Sequence, residues 1–532
     1  MKIALYQMNA IVGDLVGNTD KLIHQINIAK QNGANLFIAT ELAICGYPPE
    51  DLLLRPDFYI QCIDQLKRLT EIYDIDLLIG CPTRFHNNNY NSLYLISNGK
   101  VKNRYDKIKL PNFGVFDEVR YFSSGNQSSL FYINDVPCIV AICEDIWHED
   151  IINQSLFSNA KLIIVVNASP FSIGKHYGRL NVARKRAKEM NLPLIYLNQI
   201  GGQDELVFDG ASFVLNGNGS IIYQASAFGE ELFYLDFINS ELSSYQKNYI
   251  YPSSIEAIYQ SLVLSLRDYV NKNNFNGVVL GLSGGIDSAL TIAIAVDALG
   301  KDNVVAIMMP TAYTLEISLI DSREIAKNLD IRYHEIEIDG LFTNFNQVLS
   351  PLFTNLPTDT TEENLQARIR GVTLMAISNK FGYLVVTTGN KSEMTTGYAT
   401  LYGDMAGGFA LLKDVNKTLV YQLAKFKNMQ NHVIPDRVIE RVPSAELRPN
   451  QCDQDSLPSY DDLDKIMQQL VEGNISTNEL ILNGYDECQV YQISQLLQQN
   501  EYKRRQAAIG PKITSTAYGR DWRYPITNKF KI

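Results

Sequence analysis

The run GVVLGLSGGIDSAL, residues 277–290, constrains the fold of this chain more than any other stretch. An apolar strand leads directly into a turn of small residues, and a helix follows at once. The alternation of strands and helices continues through the apolar run NVVAIMMP (303–310) and the later strand RYHEIEI (332–338). Strands that are apolar throughout are typical of a parallel sheet covered by helices on both faces. The second half is therefore predicted to be a doubly wound α/β domain.

The first half of the chain has a different pattern of predicted strands and helices. Short apolar strands such as PCIVAIC (137–143) and KLIIVVNAS (161–169) are separated in places by helix-like stretches. This pattern indicates a second α/β domain with a substantial sheet core. A polar segment rich in Tyr and Ser, residues 238–254, lies between the halves. We therefore expect one domain over 1–245 and another over 246–532.

Charge and composition exclude several classes of protein. The chain has 532 residues, with 47 Lys and Arg against 58 Asp and Glu, which gives a net charge of −11 and disfavours broad nucleic-acid binding. No apolar run approaches the roughly 20 residues of a membrane helix, and the N-terminus reads straight into a strand. We expect a cytoplasmic protein without a membrane partner. Its seven cysteines show no C-x-x-C spacing, so neither a disulfide framework nor a zinc site is indicated.

The loop GLSGGIDS (281–288) carries the most specific chemical signal. Small residues let backbone N–H groups approach an anion, and the helix start at Asp287 and Ser288 adds the positive end of its dipole. The loop is not a Walker A motif, because no Lys follows the glycines. A plain glycine turn with an Asp–Ser cap is the alternative interpretation. An S-G-G-x-D-S loop resembles that of ATP pyrophosphatases, which release pyrophosphate while adenylating a substrate oxygen.

Further motifs narrow this resemblance. The stretch 362–382 predicts an amphipathic helix with Leu365, Ile369 and Val372 on one face, and TTGNKSE (387–393) follows a buried strand at its carboxyl end. Together the second half resembles the NAD synthetase family, through SGGIDS (283–288), ENLQARIR (363–370), TTGNKSE (387–393), YGDMAGGFALLKDV (402–415), SAEL-x-P-x-Q (444–451) and KRRQAAIGPKIT (503–514).

This resemblance implies an adenine nucleotide α-hydrolase-like fold and a set of binding residues. Asn364, Glu393 and Lys503 would contact deamido-NAD, and Asp287 and Glu393 would supply hard oxygen ligands to Mg²⁺. We expect local cations to offset the charge of two anionic nucleotides, namely Lys391, Arg368, Lys503 and Arg504. The residues that the resemblance assigns to ATP are Gly281, Leu282, Ser283, Gly284, Gly285, Ile286, Asp287, Ser288 and Thr388.

The first half offers a carboxylate, two lysines and a thiol near strand ends. Glu41 ends the buried strand IATEL, Lys107 and Lys109 lie in YDKIKLP, and Cys143 ends IVAIC. A thiol needs a nearby base or cation to become a nucleophile, and an ammonium group can stabilise a tetrahedral oxyanion. Spacing alone does not choose between the two lysines, which would share one strand face, or between Cys143 and Cys138.

These segments resemble the Glu–Lys–Cys triad of the nitrilase family, which implies an α-β-β-α sandwich. The resemblance assigns Glu41 as general base, Lys107 as the oxyanion-stabilising cation and Cys143 as nucleophile. Glu118 in FDEVRYF is expected to orient Lys107. By resemblance to the glutaminase domains of NAD synthetases, the residues bordering a glutamine pocket would be Phe113, Ser169 and Lys175.

Together, the two resemblances predict a carbon–nitrogen ligase with glutamine as nitrogen donor. It would amidate deamido-NAD through an adenylated intermediate, with small-molecule substrates, ATP as co-substrate and Mg²⁺ as cofactor. Ammonia would have to travel as the neutral amine, which implies an internal passage between the domains. The family resemblance also implies a homo-oligomer. Two alternatives are an ATP-pyrophosphatase amidotransferase with another acceptor, and a non-enzymatic nucleotide sensor with decayed sites.

Overall fold

The chain forms two compact units, Met1–Ser254 (unit 1) and Ile255–Ile532 (unit 2). The polar segment before Ser254 stays with unit 1, because the Tyr251 hydroxyl donates a hydrogen bond to Asp209 Oδ2 at 3.0 Å. No helix in the part of the chain that the structure describes is both long and apolar enough to cross a membrane. The computed structural model describes residues 1–126, 129–150, 159–448, 451–455 and 457–530.

Among the described residues of unit 1, two sheets face each other. The first contains β1 (Lys2–Gln7), β2 (Leu36–Ile38), β3 (Asp76–Phe85), β4 (Asn88–Ser97), β5 (Lys100–Asp106), β14 (Glu231–Ile238) and β15 (Glu241–Ser243), in the order β15-β14-β1-β2-β3-β4-β5. The second contains β6 (Leu130–Ile133), β7 (Val136–Ile142), β8 (Leu162–Asn167), β9 (Leu194–Asn198), β12 (Phe213–Leu215) and β13 (Ile221–Gln224), in the order β13-β12-β9-β8-β7-β6. A separate hairpin joins β10 (Ile200–Gln203) to β11 (Leu206–Asp209).

Alternation along the strands of unit 1 separates its core into layers. Ile3 and Leu5 of β1 pack between the two sheets with Val140 of β7, whereas Ala4 and Tyr6 face the helices outside the first sheet. A third cluster lies outside the second sheet. This is the predicted α-β-β-α sandwich. Its helices are α1 (Leu15–Gln31) and α2 (Pro56–Thr70) outside the first sheet, α4 (Lys175–Met190) outside the second, and the short α3 (Glu118–Tyr121).

Unit 2 contains the parallel sheet predicted from its apolar strands. The strands are β16 (Val278–Gly281), β17 (Val304–Met308), β18 (Arg332–Glu335), β19 (Leu384–Thr387) and β20 (Phe409–Ala410). Their order is β18-β17-β16-β19-β20, and every pairing is parallel. The chain reverses direction of winding at β16, so a crevice opens at the carboxyl ends of β16 and β19, where doubly wound sheets bind ligands.

Helices cover the sheet of unit 2 and continue into a helical region near the C-terminus. That region packs through Leu463, Ile493 and Trp522. The helices are α5 (Ser254–Lys272), α6 (Ile286–Leu299), α7 (Glu316–Leu329), α8 (Asp339–Leu349), α9 (Thr360–Phe381), α10 (Lys391–Thr396), α11 (Lys417–Gln430), α12 (Asp436–Glu440), α13 (Tyr460–Val471), α14 (Thr477–Leu482), α15 (Glu487–Gln499) and α16 (Glu501–Arg504).

One expectation about α9 is wrong. The predicted apolar face included Val372, but this side chain is 70 % exposed, whereas Ile369 packs on the sheet beside Val279. Neighbouring α8 has no buried residue. The apolar spacing of α9 therefore serves two surfaces, one facing the core and one facing outward.

Candidate active sites

The site in unit 1 is built around a buried ammonium group. Lys107 Nζ donates to Glu41 Oε1 and to Glu118 Oε1, each at 2.8 Å, and the Lys107 side chain is fully buried. Lys109 instead contacts Asp150 at 2.7 Å on the exposed side. The structure thus brings Lys107 to Glu41 and to its expected partner Glu118. Both lysines lie beyond the end of β5, so the expectation that they share a strand face is wrong.

Glu41 is held in one orientation by groups from three parts of unit 1. Its Oε1 also accepts a hydrogen bond from Asn91 Nδ2 at 2.7 Å, and its Oε2 accepts one from the backbone N–H of Ala168 at 2.8 Å. The two carboxylates share a single ammonium group, and burial raises the pKa of Glu118 to about 7 despite that ammonium. Glu118 therefore keeps its proton to a higher pH than an exposed carboxyl group would.

Cys143 lies at a sharp change of direction. It follows β7 and begins a 3₁₀ turn, Cys143–Trp147, with a backbone φ of 46°. A non-glycine residue in this left-handed region is uncommon and is often held there at functional sites. Burial raises the pKa of the Cys143 thiol, and Glu41 raises it further while Lys107 lowers it. The thiol is therefore protonated at rest and needs a base at the moment of attack.

Asp145 fixes the turn that carries Cys143. Its Oδ2 accepts from the backbone N–H of Ile142 at 3.0 Å and from the Tyr105 hydroxyl at 2.9 Å, and its Oδ1 accepts from the N–H of Lys109 at 2.8 Å. This buried carboxylate ties the Cys143 turn to the segment that carries Lys107. This role was not predicted from the sequence, although Asp145 lies only two residues after Cys143.

The three residues assigned to a glutamine pocket lie in different environments. Ser169 is buried next to Ala168, whose N–H holds Glu41. Lys175 begins α4 with its ammonium 4.8 Å from the centre of the Trp147 ring. Phe113 is 57 % exposed. The geometry brings Ser169 to the edge of the site, and the glutamine contacts of all three residues remain predictions.

A buried histidine beside this edge gives a test of acid stability. His176 on α4 is 4 % exposed, and burial lowers its pKa to about 4 although Asp209 opposes that shift. When folding lowers the pKa of a histidine, the folded state has its full stability above the unfolded pKa, here 6.5. That stability is lost as the pH falls towards the folded pKa of about 4. From pH 7 to pH 5 we expect a loss of about 2 kcal/mol that His176→Phe does not show.

The measurement is urea unfolding of unit 1, followed by Trp147 fluorescence in a Trp522→Phe background. His24→Phe is the matched control, because His24 is exposed on α1. Identical pH slopes for the wild type and His176→Phe would contradict a neutral, buried His176.

The glycine-rich loop of unit 2 has the geometry predicted for an anion site. The Ser288 hydroxyl donates to Gly285 O at 3.0 Å and accepts from the backbone N–H of Ser283 at 3.2 Å, which ties the helix start to the loop. Gly284 has a φ of 77°, and a Cβ there would lie 2.4 Å from Ser318 O. A side chain at this position would therefore clash with backbone, so the loop requires glycine.

A cavity of about 280 Å³ opens beside this loop at the carboxyl ends of β16 and β19. Its walls include the predicted Gly281–Ser288 loop without Gly284, together with Thr388 and Glu393. Met308, Met309 and Leu374 supply an apolar wall, which suits the flat ring of a purine. The cavity thus combines the loop that is predicted to bind an anion with an apolar surface.

Two carboxylates converge on one wall of the cavity. Asn390 Nδ2 donates to Asp287 Oδ1 at 2.9 Å and to Glu393 Oε1 at 2.8 Å. Lys417 Nζ lies 2.5 Å from Asp287 Oδ2 and 3.7 Å from Glu393 Oε1. Burial raises the pKa of Glu393 to about 8, and Asp287 raises it further while Lys417 opposes the shift. A third carboxylate, the buried Asp453, has an Oδ1 without a hydrogen-bond partner.

This donor set fits Mg²⁺. The cluster holds more carboxylate than the single ammonium of Lys417 can neutralise, and Asp453 Oδ1 lacks a donor. In the described ranges, no three or more His, Cys, Asp or Glu side chains are grouped so that they could hold a metal ion by themselves. A pair of carboxylates, Asp287 and Glu393, matches the usual Mg²⁺ site, in which substrate phosphates and water complete the shell.

Asn364 and Lys503 meet at a different loop, residues 397–404. The Thr400 hydroxyl donates to Asn364 Oδ1 at 2.8 Å. Lys503 Nζ donates to the carbonyl oxygens of Gly397 at 2.7 Å and Ala399 at 2.9 Å. This loop returns to the cavity through Gly403 and Asp404. Asn364 and Lys503, two of the three residues predicted to contact deamido-NAD, therefore support the loop that forms one wall of the cavity.

The expected set of charge-offsetting cations needs correction. Lys391 is fully buried and pairs with Asp414 at 2.9 Å and Glu472 at 3.0 Å, so it does not face a nucleotide. Arg504 is also buried and pairs with Glu501 at 2.9 Å. Both side chains have internal partners that their motifs did not reveal.

Other cations line the cavity instead, and the sequence analysis missed them. They include Arg370 on α9, whose Nε donates to Met309 O at 3.2 Å, and Arg441. Lys417 joins them at the start of α11. Its position shortly after the edge strand β20 was the available signal, because parallel strands end at the ligand-binding edge of the sheet.

The segment around the motif SAEL-x-P-x-Q also borders the cavity. Residues 441–447 and Asp453 line it, and Glu446 accepts a hydrogen bond from the Ser318 hydroxyl at 2.6 Å. Pro449 of the motif lies outside the described residues. A polar, proline-containing segment on the rim of a site is typical of a closing loop.

Comparison with known proteins decides the family. Residues 2–247 match the carbon-nitrogen hydrolase family and residues 258–507 match the NAD synthase family. Over 535 aligned residues the chain is 48 % identical to the glutamine-dependent NAD(+) synthetase of Acinetobacter baylyi, covering 100 % of this chain and 99 % of that protein. The chain belongs to the glutamine-dependent NAD(+) synthetase family. The family member of Aquifex aeolicus is 42 % identical, with 100 % of both chains covered.

Solved structures of glutamine-dependent NAD(+) synthetases agree with the fold. The enzyme from Acinetobacter baumannii, in complex with adenosine diphosphate, has a TM-score of 0.81 at 45 % identity, covering 99 % of this chain and 98 % of that one. The enzyme from Cytophaga hutchinsonii has a TM-score of 0.84 at 22 % identity, over 99 % and 98 % of the two chains, which bears on the fold alone. The nitrilase-like unit and the synthetase unit of this family are therefore both present.

The rim segment gives a prediction about ligand-induced closure. We expect ATP together with deamido-NAD to slow tryptic cleavage after Arg441 by at least about fivefold, because closing the segment over the cavity removes it from the protease. Cleavage after the exposed Lys247 in unit 1 is the internal control and should not change. Peptide mapping over time gives both rates. Equal cleavage after Arg441 with and without the nucleotides would contradict closure.

Proposed function

We propose that this protein makes NAD from deamido-NAD, ATP and glutamine, releasing AMP, pyrophosphate and glutamate. One observation carries the proposal. The chain aligns along its whole length with glutamine-dependent NAD(+) synthetases and contains two distinct sites. Unit 1 holds a buried Glu–Lys ion pair and a cysteine at a turn, and unit 2 holds a glycine-rich loop with a pair of carboxylates. The first suits amide hydrolysis and the second suits adenylation.

In unit 1, Cys143 acts as the nucleophile on the side-chain amide of glutamine. Glu41 takes the thiol proton as sulfur attacks, and Lys107 stabilises the oxyanion that forms. Glu41 then gives the proton to the departing nitrogen, which leaves as ammonia. The γ-glutamyl group stays bound to the Cys143 sulfur as a thioester. Water, activated by the same Glu41, releases glutamate and restores the thiol. The contacts of Lys107 with Glu41 at 2.8 Å and of Ala168 N–H with Glu41 keep this base in place.

Glu118 acts as a positioning residue for Lys107. Its Oε1 accepts hydrogen bonds from Lys107 Nζ and from the Tyr47 hydroxyl, each at 2.8 Å. With a pKa raised to about 7 by burial, Glu118 adjusts its charge more readily than an ordinary carboxylate. This arrangement lets Lys107 keep its ammonium form inside a dry site while the substrate oxyanion appears and disappears.

In unit 2, the nicotinate carboxylate of deamido-NAD attacks the α-phosphorus of ATP. The P–O bond to pyrophosphate breaks, and a mixed acyl-adenylate anhydride forms. Ammonia then attacks the acyl carbon, so that the amide of NAD forms and AMP leaves. The loop 281–288 supplies backbone N–H groups for phosphate oxygens, and Lys417 and Arg370 supply positive charge around the cavity.

We infer that Mg²⁺ binds at Asp287 and Glu393. When bound, it neutralises phosphate charge and helps pyrophosphate to leave. Asn390 holds both carboxylates through one amide nitrogen, at 2.9 and 2.8 Å, so this pair has a defined spacing before substrate arrives. Lys417 balances part of their charge in the meantime.

We also propose that the protein forms a homo-oligomer through the outer surface of unit 2. Large apolar side chains are exposed along α8, the segment after it and α9. Exposed apolar patches of this kind mark protein interfaces, and an identical chain is the partner that the family resemblance implies. Light scattering of the wild type and of Val348→Glu tests this. The exposed side chains are Leu341, Phe345, Val348, Leu352, Leu356 and Val372.

The deciding experiment is a complete reaction with purified protein. AMP and NAD should appear in equal amounts when deamido-NAD, ATP, Mg²⁺ and glutamine are all present, and omission of any one should stop NAD formation. AMP release with another carboxylate acceptor but none with deamido-NAD would favour a different amidotransferase. Failure to turn over any nucleotide would favour a sensor.

A further inference from the structure

The segment that leads out of unit 1 is bonded to the interior of its glutamine site. Tyr251 lies three residues before Ser254, the last residue of unit 1. Its ring stacks on His176 of α4, with centroids 3.8 Å apart and planes inclined by 4°. Its hydroxyl donates to Asp209 Oδ2 at 3.0 Å. A linker residue therefore makes both a ring contact and a hydrogen bond with groups inside the unit.

Asp209 passes this contact to a buried arginine. Its other oxygen, Oδ1, accepts from Arg179 Nη1 at 2.7 Å, and both side chains are essentially inaccessible to solvent. A buried carboxylate that loses one donor reorients towards the other. Tyr251 and Arg179 are therefore linked through the two oxygens of one buried carboxylate.

Arg179 in turn holds the backbone beside the catalytic base. Its Nε donates to Ser169 Oγ at 3.0 Å, and its Nη2 donates to the carbonyl oxygens of Ser169 at 2.8 Å and Pro170 at 2.6 Å. The preceding residue, Ala168, gives its N–H to Glu41 Oε2 at 2.8 Å. One guanidinium therefore sets the path of the chain at the edge of the glutamine pocket.

We propose that Tyr251 is a positioning residue for the glutamine site, acting through Asp209 and Arg179 on the Ser169–Pro170 backbone. The inference rests on the proposed glutaminase function of unit 1. It makes the affinity for glutamine depend on how the segment before Ser254 is seated. The synthetase chemistry of unit 2 does not use this relay.

The main test is Tyr251→Phe in the full-length protein, which keeps the ring on His176 and removes the hydroxyl. Asp209 Oδ2 then lacks its donor, Arg179 shifts, and the KM for glutamine should rise about tenfold while kcat stays within about twofold. NAD synthesis from ammonium salts should be unchanged. Tyr245→Phe is the matched control, because Tyr245 lies in the same segment and is 90 % exposed.

A second variant separates the relay from general stability. Tyr251→Leu removes both the hydrogen bond and the stacked ring, so its KM for glutamine should rise at least as much as that of Tyr251→Phe. A purely structural role would lower the melting temperature and leave the KM of the folded protein unchanged, whereas the relay raises the KM for glutamine at temperatures well below the melting transition.

The outcomes are distinguishable. A wild-type KM for glutamine in both Tyr251 variants, or an equal loss of glutamine- and ammonium-dependent synthesis, overturns the relay while leaving the proposed function intact. A wild-type protein that makes no NAD from glutamine overturns the proposed function, and the relay falls with it. A selective rise in KM supports the relay.

Discussion

Cys143→Ala is expected to abolish NAD synthesis from glutamine and to preserve synthesis from ammonium salts. The sulfur is the atom that forms the γ-glutamyl thioester, so its loss removes the route to ammonia, whereas the cavity beside the Gly281 loop lies in unit 2. We expect a fall in the glutamine-dependent rate on the order of 10⁴-fold or more, as for removal of other catalytic nucleophiles. The ammonium-dependent rate should increase with pH, because the neutral amine is the attacking species.

Cys138→Ala is the matched control for this experiment. Cys138 is a buried thiol on β7, five positions before Cys143, and it packs between the sheets of unit 1. Both substitutions remove one sulfur atom and typically change stability by about 1–2 kcal/mol. Glutamine-dependent synthesis should survive in Cys138→Ala. If Cys143→Ala still used glutamine, the assignment of the nucleophile would be wrong, and if it lost both activities while folded, Cys143 would serve unit 2 in another way.

Asp287→Asn should have the opposite selectivity. Asp287 accepts from Asn390 at 2.9 Å and from Lys417 at 2.5 Å, and it is one of the two carboxylates that fit Mg²⁺. The amide keeps the size of the side chain but removes its charge, so a cation ligand is lost and Lys417 loses its closest partner. We expect NAD synthesis from either nitrogen source to fall on the order of 10²- to 10³-fold.

Glutamine hydrolysis provides the internal comparison for Asp287→Asn. Under the proposed function it takes place at Cys143 in unit 1, so thioester turnover should remain measurable as glutamate release. Asp302→Asn is the matched control, since Asp302 is an exposed carboxylate of the same unit outside the cavity lining. A parallel loss of glutamate release and NAD synthesis in folded Asp287→Asn would argue against two separate sites. Retention of full synthesis would remove Asp287 from the metal site.

Local signals were enough to find the loop and the triad candidates. The Gly281–Ser288 loop needs small residues because Gly284 adopts a positive φ against the backbone of Ser318, and such a demand is visible in a single stretch of sequence. The alternation of apolar strands and helices likewise predicted a parallel sheet in unit 2 and an α/β domain in unit 1, whereas the layered sandwich of unit 1 was implied by the nitrilase resemblance. In each case the constraint acts between neighbours in the chain.

Contacts between distant residues were beyond such signals. Lys107 and Lys109 have the same local context, and their difference arises because Glu41, 66 residues away, bonds to the first and not to the second. Lys391 had the sequence context of a nucleotide-facing cation, yet it pairs with Asp414 and Glu472 inside unit 2. The destination of a long, charged side chain depends on partners that only folding brings near.

The sequence by itself determined the two α/β domains and the glycine-rich loop, and it supplied the candidate residues for amide hydrolysis and adenylation, because these follow from periodicity, steric demands on glycine and motif context. Only the tertiary structure decided which groups act together. It joined Asp287 and Glu393 through Asn390 and Lys417, and it connected Tyr251 with Arg179 through Asp209. Hydrogen bonds and charges act over a few ångströms in space, so their pairing is set by the fold and not by separation along the chain.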